Sequence, residues 1–90
     1  MKWKKVREDH PQKWVLIEAL EAYTQNEKRY LTDISVIGEF EDSEQAKKLY
    51  RKIHKKDPER ELYVAHTSNK KLEIEERKWL GIRIWDIQLK

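Results

Sequence analysis

Residues 14–23 read Trp-Val-Leu-Ile-Glu-Ala-Leu-Glu-Ala-Tyr, and residues 30–40 read Tyr-Leu-Thr-Asp-Ile-Ser-Val-Ile-Gly-Glu-Phe. The first segment opens with four consecutive apolar residues, the pattern of a strand covered on both faces. Glu18 and Glu21 then break the run. Ala, Leu and Glu are also helix formers, so a helix competes for this segment. The β-branched Val15 and Ile17, the aromatic ends and the segment that follows favour a strand. Residues 24–29 form a polar turn. The second segment alternates, with Tyr30, Thr32, Ile34, Val36 and Phe40 on one face and Leu31, Asp33, Ser35 and Ile37 on the other. Two such strands around a polar turn predict an antiparallel hairpin. Gly38 marks a bulge or the strand end.

Downstream, Asp42-Ser43 reads as a helix start, with Glu44 suited to the positive end of the helix dipole. The helix runs over 43–56 and stops before Asp57-Pro58, because a residue before proline avoids helical angles. At 100° per residue, Ala46, Leu49, Tyr50 and Ile53 fall on one stripe, and Lys47, Lys48, Arg51, Lys52 and Lys55 lie opposite. Residues 61–67 are a third strand and 68–71 a turn. Leu72 to Ile74 can begin a fourth strand, whereas residues 75–78 suit an exposed turn or short helix. Residues 82–89 alternate as a last strand.

The expected fold is therefore α+β. A single helix packs on a mixed four- to five-stranded sheet, in the order β-β-α-β-(β)-β, with strand three beside strand one. In shape this is β-grasp-like, a topological likeness that carries no function. Residues 1–12, polar and closed by His10-Pro11, read as a basic N-terminal arm on a single domain of residues 13–90.

Composition narrows the function classes. The chain has 90 residues, 38% hydrophobic and 41% charged, with no Cys. It has no thiolate metal site, no disulfide framework and no cysteine nucleophile. No apolar run approaches the ~20 residues of a membrane span, and the basic start is not followed by the apolar stretch of a secretory signal. A cytoplasmic location is the expectation. Abundant Lys and Glu with few Asn and Gln resemble a thermophile-like balance. Four Trp, four Tyr and one Phe must supply much of a thin core, since aromatics bury roughly 150–250 Å² each. So small a body encloses a catalytic cleft with difficulty.

Charge is unevenly placed. Residues 14–42 carry two basic and seven acidic groups, and residues 43–60 carry seven basic and three acidic. An acidic hairpin thus precedes a basic helix, although the whole chain is only +3.

No motif fixes a reaction. His10, His54 and His66 lack metal-ligand spacing, so no metal and no cofactor is expected. Glu18 could oppose Asp33 across the hairpin near a histidine, as in a small hydrolase or nuclease. With 17 carboxylates, some such pairing is inevitable, and solvated or ion-paired carboxylates are the ordinary outcome. The leading expectation is a non-catalytic binding or regulatory module that engages a protein partner or a second copy of itself. Trp3 and Trp85, near the two ends, are its candidate contacts, while Trp14 and Trp79 are assigned to the core. The alternative is a nucleic-acid-binding module that lays Lys47, Lys48, Arg51, Lys52 and Lys55 along phosphates.

Overall fold

The computed structural model describes the backbone of residues 1–79 and 82–87, and side chains for residues 1–74. The fold class is α+β. Two helices, α1 (Trp3–Asp9) and α2 (Ser43–Lys56), accompany strands β1 (Trp14–Gln25), β2 (Lys28–Phe40) and β3 (Leu62–His66). These three strands form an antiparallel sheet with β1 in the middle. A further antiparallel hairpin, β4 (Ile74–Trp79) and β5 (Ile82–Ile87), meets β2 where Lys28 stands opposite Glu75, so the strand order is β3-β1-β2-β4-β5. Among the described residues no helix is long and apolar enough to cross a membrane.

Three expectations are corrected. The sheet is not mixed: every described pairing is antiparallel. Strand three does lie beside strand one, but without the parallel placement that the β-grasp-like reading assumed. Nor is there a single helix. The segment read as an arm contains α1, and Val6 within it is fully buried in the core. Seven residues are too few for a helix to persist alone in water, and Lys2 provides no side-chain cap. Tertiary contacts hold α1 instead. The Trp3 indole N–H donates to the Asn69 carbonyl at 2.9 Å, and Arg7 Nε donates to the Thr67 carbonyl at 3.3 Å. Residues 75–78, expected as turn or short helix, belong to β4.

The β1–β2 hairpin closes at Asn26-Glu27, both with positive φ (52° and 63°), the signature of a two-residue type I′ turn. Its ladder is interrupted three times. Leu16 pairs with Gly38 and Ile17 with Val36, leaving Ile37 as an extra residue. Ala19 pairs with Ile34 and Glu21 with Asp33, leaving Leu20 extra. Ala22 then pairs with Leu31, leaving Thr32 extra. Each extra residue reverses the side-chain alternation beyond it.

Regular alternation therefore places several side chains wrongly. Tyr30 and Phe40 do not share a face with Ile34 and Val36. Leu31 joins those two in packing on the core of Val6, Val15, Ile17, Tyr63 and Ile74. On the opposite face Gly38 lies beneath the Phe40 ring and close to Leu49 of α2, next to buried Leu16. The helices thus cover opposite faces of the sheet, α1 on the Val6 side and α2 on the Leu16 side.

Helix α2 follows its sequence signals. Asp42 caps it by accepting from Gln45 N at 2.9 Å, and His54, Lys55 and Lys56 crowd its negative end. Ala46 is buried, Leu49, Tyr50 and Ile53 are half-buried, and the lysine side faces solvent.

Candidate functional site

Strand β3 lines only the Trp14–Glu18 half of β1. The rest of the hairpin continues beyond β3 as a ribbon whose β2 edge meets Met1 at Ile34 and β4 at Lys28. On its α2-side face Tyr23 and Tyr30 stand directly opposite each other. Their rings stack at 5.2 Å between centroids and 21° between planes. Both are exposed, at 48% and 42%, and the bulged Leu20 is 56% exposed. Met1 is a fourth exposed apolar residue, at 44%. It lies alongside, its backbone exchanging two 2.8 Å hydrogen bonds with Ile34. Among the described residues, all the exposed large hydrophobic side chains lie on or beside this ribbon.

Side-chain bonds anchor the ribbon near its turn, at Arg29, and at its base, at Glu18. Arg29 grips Glu61 with two parallel hydrogen bonds of 2.9 and 2.8 Å, and the Tyr63 hydroxyl donates to the same carboxylate at 2.6 Å. Burial, reinforced by the neighbouring Glu61 charge, raises the Tyr63 phenol far above its ordinary value. Glu18 accepts from Arg60 at 3.1 and 2.7 Å. That hydrogen bond holds its carboxyl below the ordinary 4.5 despite partial burial.

A second surface lies at the other end of the same sheet face. Phe40, Gln45, Lys48, Leu49 and Lys52 line an open groove of about 370 Å³, apolar at its floor. The five basic residues anticipated for nucleic acid, Lys47, Lys48, Arg51, Lys52 and Lys55, are all exposed along α2. Lys47 approaches Glu44 at 3.8 Å. The other four have no carboxylate partner among the described residues. On the far flank of the helix, Tyr50 and His54 stack at 5.5 Å.

The carboxylates considered for hydrolysis are not brought together. Glu18 faces Ser35 across the ladder, whereas Asp33 faces Glu21. Asp33 accepts from the Met1 ammonium at 2.5 Å, which holds its carboxyl below the ordinary value. His66 pairs with Trp14, four residues along β1 from Glu18, a separation of about 13 Å at ~3.3 Å per residue. Its ring meets the Trp14 edge, and its Nδ1 accepts from Ser68 N at 3.2 Å. No group of three potential metal ligands occurs among the described residues.

Trp3 is half-buried against the core with its polar atom already bonded. Trp85 lies in β5 opposite Glu76, and its side chain, like that of Trp79, falls outside the described residues. No protein-family model, curated protein or solved structure matches the chain. The site therefore has to be read from its own geometry.

Regular alternation hid Tyr23 and Tyr30. It puts Tyr30 on the face of Ile34 and Val36, and Tyr23 reads as an ordinary aromatic strand end. The usable signal was the length of the hairpin, which exceeds what one short third strand can cover.

Proposed function

We propose that the chain is a small non-catalytic binding module that associates with further copies of itself through the aromatic face of its β1–β2 ribbon. What supports this reading is the Tyr23–Tyr30 stack, exposed on one face of the hairpin, with Leu20 and Met1, the other exposed large apolar side chains among the described residues, on or beside the same two strands. Exposed apolar side chains set together on a small protein mark an interaction site. Tyrosine suits that role, because it offers a large amphipathic contact for the loss of only two side-chain torsions. The ring stack lowers that loss further by fixing both side chains in advance. Trp3 is engaged inside the fold, so the anchor moves from it to the tyrosine pair.

Sedimentation equilibrium tests this reading. The wild-type mass should rise above 11.1 kDa with concentration, and Tyr23→Ser/Tyr30→Ser should remain monomeric. A wild-type chain that stays monomeric at about 1 mM, a limit near −4 kcal/mol of association free energy, contradicts it.

A second reading has its own observation. Lys48, Arg51, Lys52 and Lys55 are exposed without carboxylate partners among the described residues, and single-stranded nucleic acid takes cationic tracks beside aromatic rings. It predicts oligonucleotide binding that weakens steeply with salt and is lost in Lys48→Glu/Arg51→Glu/Lys55→Glu. Salt-independent retention, or retention by that variant, contradicts it.

A further inference from the structure

The tyrosine face and the Phe40–Leu49 groove share one side of the sheet and occupy opposite ends of the β1–β2 hairpin. That placement has a geometric consequence. A two-fold axis lying between two facing copies, perpendicular to the hairpin, carries the ribbon end of one onto the α2 end of the other. Both contacts then form at once, as an isologous dimer requires.

On the footing of the protein-binding reading above, we infer that the occupant of the groove is a second copy of this chain. The Tyr23–Tyr30 ribbon of each copy seats against the Phe40–Leu49 groove of its partner, with Lys48 and Lys52 beside Glu21.

Charge and size both fit a second copy. Of the hairpin's acidic groups, Glu18 and Asp33 are paired with Arg60 and the Met1 ammonium, and Glu39 and Glu41 with His10 and Lys13. Antiparallel stacking sets Glu21, which is not so paired, against the exposed Lys48 and Lys52 of the other copy, whereas parallel stacking sets it against its own equivalent. Glu21 is exposed beside the tyrosine pair and has no partner among the described residues. Lys48 and Lys52 flank an apolar floor, so the ion pairs fall on the rim and the aromatic contact in the centre, the ordinary anatomy of an interface. The molecule measures 37 × 28 × 23 Å, so its broad face offers on the order of 1,000 Å², enough for the ~800 Å² per partner of a stable complex.

A charge-swap experiment tests the inference. Lys48→Glu/Lys52→Glu and Glu21→Lys both change exposed residues, and circular dichroism checks that each variant folds. In sedimentation equilibrium at about 0.1 M salt, each variant alone should dissociate at least about tenfold more readily than wild type. An equimolar mixture should recover the wild-type dimer, because the mixed pair restores opposite charge at both contacts. Dimers unaffected by either variant overturn the inference but leave the protein-binding reading standing. So does a mixture that stays monomeric. A wild-type chain that never associates overturns both. If that monomer binds single-stranded oligonucleotides, the basic face belongs to nucleic acid instead.

Discussion

Thr67 is the buried polar side chain among the described residues, and it joins three segments. Its Oγ1 donates to the His10 carbonyl at 2.6 Å and accepts from Lys13 N at 3.0 Å. Its backbone N–H also donates to the Lys13 carbonyl at 2.9 Å. The hydroxyl therefore ties the end of α1 and the start of β1 to the turn after β3. Thr67→Val keeps the shape and removes the hydroxyl. The His10 carbonyl and the Lys13 amide then lose their partner in part-buried surroundings. Each unsatisfied group costs about 1–3 kcal/mol when buried. Taking the low end for part-buried groups gives about 2 kcal/mol. For a chain of this length that is roughly 8–16 °C in Tm. Urea unfolding followed by circular dichroism measures it, with an unchanged m-value showing that the folded surface is the same. Thr67→Ser retains the hydroxyl and should lose less than about 1 kcal/mol. If Thr67→Val lies within about 0.5 kcal/mol of wild type, or Thr67→Ser is as unstable, the hydroxyl does not hold α1 to the sheet.

Three further outcomes are expected. Val6→Ala removes two buried methyl groups and should cost about 1.5–3 kcal/mol in urea unfolding; a neutral result means that α1 is not part of the core. Glu27→Gly relieves a left-handed backbone at φ 63° and should add about 0.5–1 kcal/mol, whereas a loss in thermal melts contradicts the I′ turn. The Arg60 hydrogen bond lowers the Glu18 pKa, so its stabilisation is complete above the unfolded value near 4.5 and disappears as pH falls through the lower folded value. The stability gap between wild type and Glu18→Gln should therefore close between pH 5 and about pH 2, and an unchanged gap refutes the pairing.

The α2 helix was legible because several local signals agree over 14 residues. Asp42 caps it, Asp57-Pro58 ends it, and the apolar stripe keeps its period between them. The hairpin and β3 were legible from alternation and β-branched residues. What alternation could not show is the effect of the extra residues Ile37, Leu20 and Thr32. Each has ordinary strand chemistry, and none announces itself by Gly or Pro, yet each reverses the faces that follow. That is why regular alternation groups Tyr30 with Ile34 and Val36 and sets Leu31 on the other face. Helix α1 was hidden for a different reason. It has a single buried residue and no side-chain cap, and distant partners at Thr67 and Asn69 hold it in place. The antiparallel placement of β3 was likewise a tertiary outcome, which the three-strand pattern left open. Of the candidate contacts, the basic helix face was visible as spacing. The tyrosine face became visible only once the register shifts of the ladder set Tyr23 and Tyr30 opposite each other.

Dilution NMR is the most direct check on the binding surface. Amide shifts recorded from about 1 mM down to 10 µM bracket a dissociation constant near 100 µM, about −5.5 kcal/mol. Concentration-dependent shifts should concentrate on residues 20–33 and 40–52, the ribbon and the groove, and should vanish in Tyr23→Ser/Tyr30→Ser. Shifts that are absent throughout, or that map instead to β3, contradict binding through the ribbon.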